Sequence, residues 1–188
     1  MRNLSNVALF KLVWVAAVVG ASRSSLWLGP LATLVFLFVH LRMIPSRDER
    51  PRELLYIVAV GIFGTAADTT LALLGATAYP TSVAWTFPVV PPWIISLWVA
   101  FAMLPRFALH WLSGKTTLAI LFGAVCGPLS YFGGTRLGAV AVPESSLLTF
   151  GALSIEYALV TPLLLLLAPS AGDTRPAEAE ASETIAAA

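Results

Sequence analysis

Two carboxylates stand inside apolar runs of the chain, Asp68 and Glu156. At about 1.5 Å per residue, Asp68 lies about 21 Å from Leu54, where its run begins, and Glu156 lies about 18 Å from Ala168, where its run ends. Both distances are measured from the same face of a membrane, so the two acids are expected at similar depth. An ionisable group at such a depth costs at least about 2.5 kcal/mol on insertion scales and needs a partner, a wet cavity or a change of protonation. Facing each other, the pair would share a proton, because two carboxylates in a low-dielectric site cannot both ionise cheaply. That would make a proton or cation site. The alternative is that each is a neutral acid donating a hydrogen bond to a neighbouring helix.

The remaining polar groups are expected near one membrane face. Lys11 sits low in its run and is predicted to snorkel to the headgroups. Arg106, His110 and Lys115 are candidate contacts for an anionic headgroup, as basic pockets on the cytoplasmic side are. His40 and His110 are the pair that a haem or metal would need, but two ligands underdetermine any such site, so no metal or cofactor is assigned. The one cysteine, Cys126, excludes an internal disulfide and a multi-thiolate zinc site. The motifs HExxH, GxSxG, GxxxxGK[ST] and GxGxxG are absent, which weighs against an enzyme without excluding one.

These residues are carried by a chain that is 58% hydrophobic and 11% charged, with a mean hydropathy of +0.85. Soluble domains carry about a quarter charged residues. A net charge of +1 leaves no basic surface for nucleic acid. Six runs approach the ~20 apolar residues that a spanning helix needs: Leu4 to Ala21, Leu26 to Ile44, Leu54 to Ala78, Trp93 to Leu112, Thr116 to Phe132 and Ser146 to Ala168. The predicted fold is therefore an all-α integral membrane bundle of six transmembrane helices over residues 1–168. Residues 169–188, acidic and without aromatics, are expected to form a disordered cytoplasmic tail.

With the N-terminus inside, Arg2, Arg42, Arg47, Arg50, Arg52, Arg106, Lys115 and Arg175 fall in the cytoplasm and only Arg23 and Arg136 outside. Positive short loops stay cytoplasmic, so both termini are predicted there. Tyr79, Trp85, Trp93 and Trp27 are expected at the outer headgroup layer, with Pro88, Pro91 and Pro92 stiffening the loop before the fourth run. An alternative for the first run is a signal peptide cleaved after Val19-Gly20-Ala21, which would leave five spans in the same orientation.

Small residues let helix backbones approach in lipid. Gly61 and Gly64 in the third run and the Gly123/Gly127 pair in the fifth are predicted packing positions, with Pro128 bending the fifth helix beside a hinge, a cavity or simply a tight contact. Each half of the chain also carries a Gly-Pro-Leu, at Gly29 and Gly127, and then an acid, which hints at an inverted repeat.

The segments PWIISLWVAFAML from Pro92, HWL from His110 and GAVCGPLSYFGGTRLGAV from Gly123 carry a family likeness, together with Asn6, Phe10, Trp14, Gly20-Ala21 and Trp27-Leu28-Gly29. The chain resembles, from Asn6 to about Pro162, a family of short polytopic bacterial inner-membrane proteins classed as a domain of unknown function. The resemblance implies a multi-pass inner-membrane protein and no activity. It also implies an acid at the position of Asp68, while Pro105-Arg106-Phe107 departs from an Asn-His pair that the family favours.

The resulting expectation is a small non-enzymatic protein of the lipid bilayer that binds or carries a small or lipid-like ligand between its helices. An accessory or assembly subunit, bound through its glycine faces to a membrane-protein partner or as a homo-oligomer, is the second reading. A membrane-embedded enzyme of lipid metabolism is the third.

Overall fold

The computed structural model describes residues 2–80, 89–142 and 145–169. Within them the fold is all-α: α1 (Arg2–Ser22), α2 (Leu28–Met43), α3 (Arg50–Leu73), α4 (Pro92–Ala102), a short 3-10 turn (His110–Leu112), α5 (Thr116–Arg136) and α6 (Ser146–Leu167). Proline in the first turn opens α3 and α4, where the missing N–H costs nothing, and Ser145 caps α6 by accepting from the Leu148 amide. The C-terminal ends of α3 and α5 close alike. Gly75 and Gly138 take left-handed φ of 73° and 77°, and the next amides, of Ala76 and Ala139, reach back to Leu71 and Gly134. The two chain segments that follow pair through a single bridge between Ala78 and Ala141.

The helices alternate in direction. Arg2 at the start of α1 reaches the Met43 carbonyl at the end of α2, and Arg50 at the start of α3 bonds the Ile44 carbonyl. α6 runs antiparallel to α3: the Tyr56 hydroxyl donates to the Leu164 carbonyl at 2.8 Å, and Thr149 donates to the Ala76 carbonyl at 2.6 Å. α5 runs back along α6, and α4 lies at the centre against α1, α2 and α3. Every residue of α4 is buried or half-buried. The outward faces of the other helices are apolar, with Leu4, Leu34, Ile62, Leu121 and Leu147 all exposed, as lipid contact requires.

Four helices, α1, α3, α5 and α6, are long and apolar enough to cross a membrane; α2 with 16 residues and α4 with 11 are shorter. The fourth run departs most from expectation. It is no single helix from Trp93 to Leu112: α4 stops at Ala102 because Pro105 cannot donate to the ladder and disfavours the helical conformation at Leu104 before it. The chain then turns, and Met103 to Phe107 are buried within the protein. Irregular backbone is tolerated at such a position when the protein satisfies it. Here Leu104, Phe107 and Leu109 donate to nearby carbonyls, and Asn6 of α1 donates to the Met103 carbonyl at 3.2 Å.

Other boundaries shift by up to about a turn and a half. α3 starts earlier, at Arg50, and ends at Leu73 rather than Ala78, while α5 continues unbroken through Pro128 to Arg136. Trp93, expected at the headgroups, is buried and packs edge-on against Tyr79. The tail predicted as disordered, Trp85 and Pro88 lie outside the described residues.

Candidate functional site

Asp68 is fully buried on the inner face of α3. The Trp98 indole of α4 donates to its Oδ2 at 2.6 Å, and the Tyr131 hydroxyl of α5 donates to its Oδ1. One acid thus ties three helices together. Tyr157 of α6 completes the group, stacking on Trp98 with centroids 5.4 Å apart and meeting Tyr131 edge-on. The anchoring bonds of α3 to α6 bracket Asp68 between Tyr56 and Ala76, and Glu156 between Thr149 and Leu164, so both acids lie between the same two ties. They lie within electrostatic reach of each other. Their environments differ: among the described residues neither Glu156 oxygen has a hydrogen-bond partner. Just past α3, burial pushes the Tyr79 phenol well above its ordinary range, and the Asp68 and Glu156 charges add to that.

The expected glycine positions are the space in which this aromatic group sits. A Cβ on Gly64 would run into the Trp98 indole, one on Gly127 into the Tyr157 ring, and one on Gly123 into the Tyr157 backbone carbonyl. Gly61 is looser, its Cβ 3.1 Å from Val99. All four glycines are therefore spent on contacts inside the chain. Gly64 and Asp68 are one helical turn apart, which aims both at Trp98.

Beside Asp68 lies a cavity of about 140 Å³. Rings of Phe10, Trp14, Trp98, Phe101, Phe122 and Tyr157 share its wall with aliphatic side chains of α4 and the turn after it, and Gly123, Cys126 and Gly127 of α5 lie along one side. Its polar groups are few: Asp68, Tyr131, Ser130, whose hydroxyl accepts from the Trp14 indole at 2.8 Å, and Thr161. Thr161 is 1% exposed, and its hydroxyl has no hydrogen-bond partner among the described residues.

A second polar cluster sits at the end of the bundle that holds the start of α1. Glu49 and Glu53 stand at the start of α3 and His40 in the last turn of α2, each where the helix dipole favours its sign. His40 Nε2 is 2.8 Å from Glu53 Oε1, and the Arg106 guanidinium forks between Glu53 Oε2, at 2.9 Å, and Glu49. The His40 ring lies edge-on between Phe36 and Phe107. Arg106 is thus committed inside the protein, with its side chain 3% exposed, and does not join Lys115 and His110, which are both exposed. Lys115 instead lies over the Trp111 ring, 5.9 Å from its centroid. Nor are His40 and His110 brought together, and no group of three or more metal-binding side chains occurs among the described residues.

Asp68, Glu156 and the glycines stand out in the sequence, whereas Trp98 and Tyr131 as donors to Asp68, and Glu49 and Glu53 as partners of Arg106, do not. A signal for the second group existed: two acids four residues apart at a helix start, a histidine at the preceding helix end, and an arginine placed directly after a helix-stopping proline.

A family model described as "Protein of unknown function (DUF2878)" matches residues 3–163. No curated protein and no solved structure matches the chain.

Proposed function

We propose, for a chain that belongs to the DUF2878 family of proteins of unknown function, that it is a binding or carrier protein which takes a small or lipid-like ligand into the cavity beside Asp68. The cavity itself carries this proposal: about 140 Å³ walled by rings, with a fully buried carboxylate and an unbonded Thr161 hydroxyl at its edge. Ligand sites combine apolar walls with a few convergent polar groups in this way. Most buried polar atoms in proteins are paired, and the Thr161 hydroxyl, beside empty space, is one that an occupant can pair.

The setting we propose is a bacterial inner membrane crossed six times, with both termini cytoplasmic. Support comes from the alternating helix directions and from the gathering of Arg2, Arg50, Arg106 and Lys115 toward one end. α4 and the turn after it together make the fourth crossing, sheltered by their neighbours.

The test is extraction and mass spectrometry of protein purified in mild detergent. The expected result is a retained small molecule, at up to one per chain, that is depleted from Thr161→Val and Asp68→Asn. An empty wild-type protein, or one that instead co-purifies stoichiometrically with another membrane protein, would overturn the ligand proposal in favour of an accessory subunit.

A further inference from the structure

Resting on that cavity as a ligand site, we propose that its occupant is a small organic cation, an alkylammonium whose charge sits against Asp68 and whose alkyl groups lie against the surrounding rings. Asp68 takes hydrogen bonds on both oxygens, and the indole of Trp98 can only donate, so Oδ2 is an acceptor. A carboxylate has about four acceptor directions, and two are filled here. Among the described residues, none of the side chains lining the cavity is a lysine, arginine or histidine. The buried arginine of the chain's core, Arg106, is already held by Glu49 and Glu53. For an ionised Asp68, the positive partner that the cavity's own side chains do not supply is left to the ligand.

The walls match the same chemistry. A cation within about 6 Å of an aromatic centroid is attracted to the ring face, more strongly when water is excluded, and cages of such rings suit quaternary ammonium groups. A bare metal ion is poorly served, because a hard cation needs about six oxygens and the walls are mostly carbon. Size sets the remaining limit. A cavity of about 140 Å³ compares with the ~150 Å³ engineered cavity that holds benzene, so the occupant has a handful of heavy atoms and no long chain. The unbonded Thr161 hydroxyl, on the α6 side, offers a contact for an N–H or O–H that such a molecule carries.

The probe pair is choline and its neutral carbon isostere, 3,3-dimethylbutan-1-ol, titrated against the full chain in mild detergent. Two readouts report on the cavity: tryptophan fluorescence, since Trp14 and Trp98 line it, and the rate at which N-ethylmaleimide alkylates Cys126, the chain's one cysteine and also a lining residue. Choline is expected to bind at least about tenfold more tightly than the alcohol and to slow alkylation. Asp68→Asn is expected to bring the ratio close to one. Equal affinity of the two probes for the wild type would overturn the cation and leave the cavity as a ligand site. Binding of neither, with alkylation unchanged, would overturn both. The wild-type comparison decides the matter even where Asp68→Asn fails to fold.

Discussion

The Trp98 indole reaches Asp68 across the α3–α4 interface at 2.6 Å, and it can do so only because Gly64, one turn before the acid, has no side chain. The packing glycine and the buried carboxylate are parts of one arrangement. A contact that looks like helix packing also sets the orientation of a hydrogen-bond donor.

Gly64→Ala should therefore destabilise the protein by about 1–3 kcal/mol, because the new methyl must displace an indole that is itself fixed by Asp68 and Tyr157. Gly123→Ala should do at least as much, since its Cβ would meet a backbone carbonyl that cannot swing aside. Gly151→Ala has nothing within 4 Å and should be neutral or stabilising by up to about 1 kcal/mol. Thermal unfolding in detergent measures all three. Equal losses at Gly64 and Gly151 would mean that steric room at Gly64 is not what matters.

Trp98→Phe keeps an aromatic ring against Tyr157 and removes the donor to Asp68. A buried carboxylate that loses one of two partners should cost about 1–3 kcal/mol. Asp68→Asn, which keeps the shape and an acceptor for one of the two donors, should cost less. A cycle with the Trp98→Phe/Asp68→Asn double variant should show coupling of at least about 0.5 kcal/mol, and strict additivity would rule the hydrogen bond out as the link.

At the other cluster, Arg106→Met strands the Glu53 and Glu49 carboxylates without their cation. The expected loss is about 3–5 kcal/mol, and adding Glu53→Gln should recover part of it. Arg106→Lys should recover little, because an ammonium cannot bridge two carboxylates as the planar fork does. Chemical denaturation of the four proteins distinguishes this from a mere loss of packing, which Lys would largely restore.

Lys115 and His110 are exposed at the same end as that cluster and remain the candidates for an anionic headgroup. Lys115→Ala with His110→Ala should lower the anionic lipid that co-purifies while changing stability by no more than about 0.5 kcal/mol. Unchanged lipid content would remove both from that role.

Much of the helical layout was legible because lipid imposes a simple rule: apolar runs of sufficient length must satisfy their own backbone, and Leu4 to Ala21 or Ser146 to Ala168 can be little else. Rise per residue alone predicts a similar depth for Asp68 and Glu156, and both fall between the two ties of α3 to α6. What lay hidden depended on rotation about helix axes and on pairing between distant elements. Trp98 and Tyr131 read as hydrophobic bulk in a sequence, and only the packing of α4 and α5 turns their N–H and O–H groups toward one acid, while Tyr157 of α6 stacks on Trp98. Arg106 reads as a surface cation as long as Pro105 is placed inside a continuous fourth helix. Once the helix ends, the arginine folds beneath α2 and α3. The repeated Gly-Pro-Leu is likewise unequal in use: Gly29 opens α2, whereas Gly127 sits in the middle of α5.

The brevity of α4 bears on how the protein is made. Its 11 residues cover about 16 Å, half of a hydrocarbon layer, so the newly synthesised segment has no stable resting place among lipid chains alone. Three helices packed on it, α1, α2 and α3, precede it in the chain, and only the face that stacks on Tyr157 of α6 waits for a later helix. Biogenesis is then a matter of docking rather than of independent insertion at this step, and a nascent chain lacking α1 would release α4 into a groove with one wall missing.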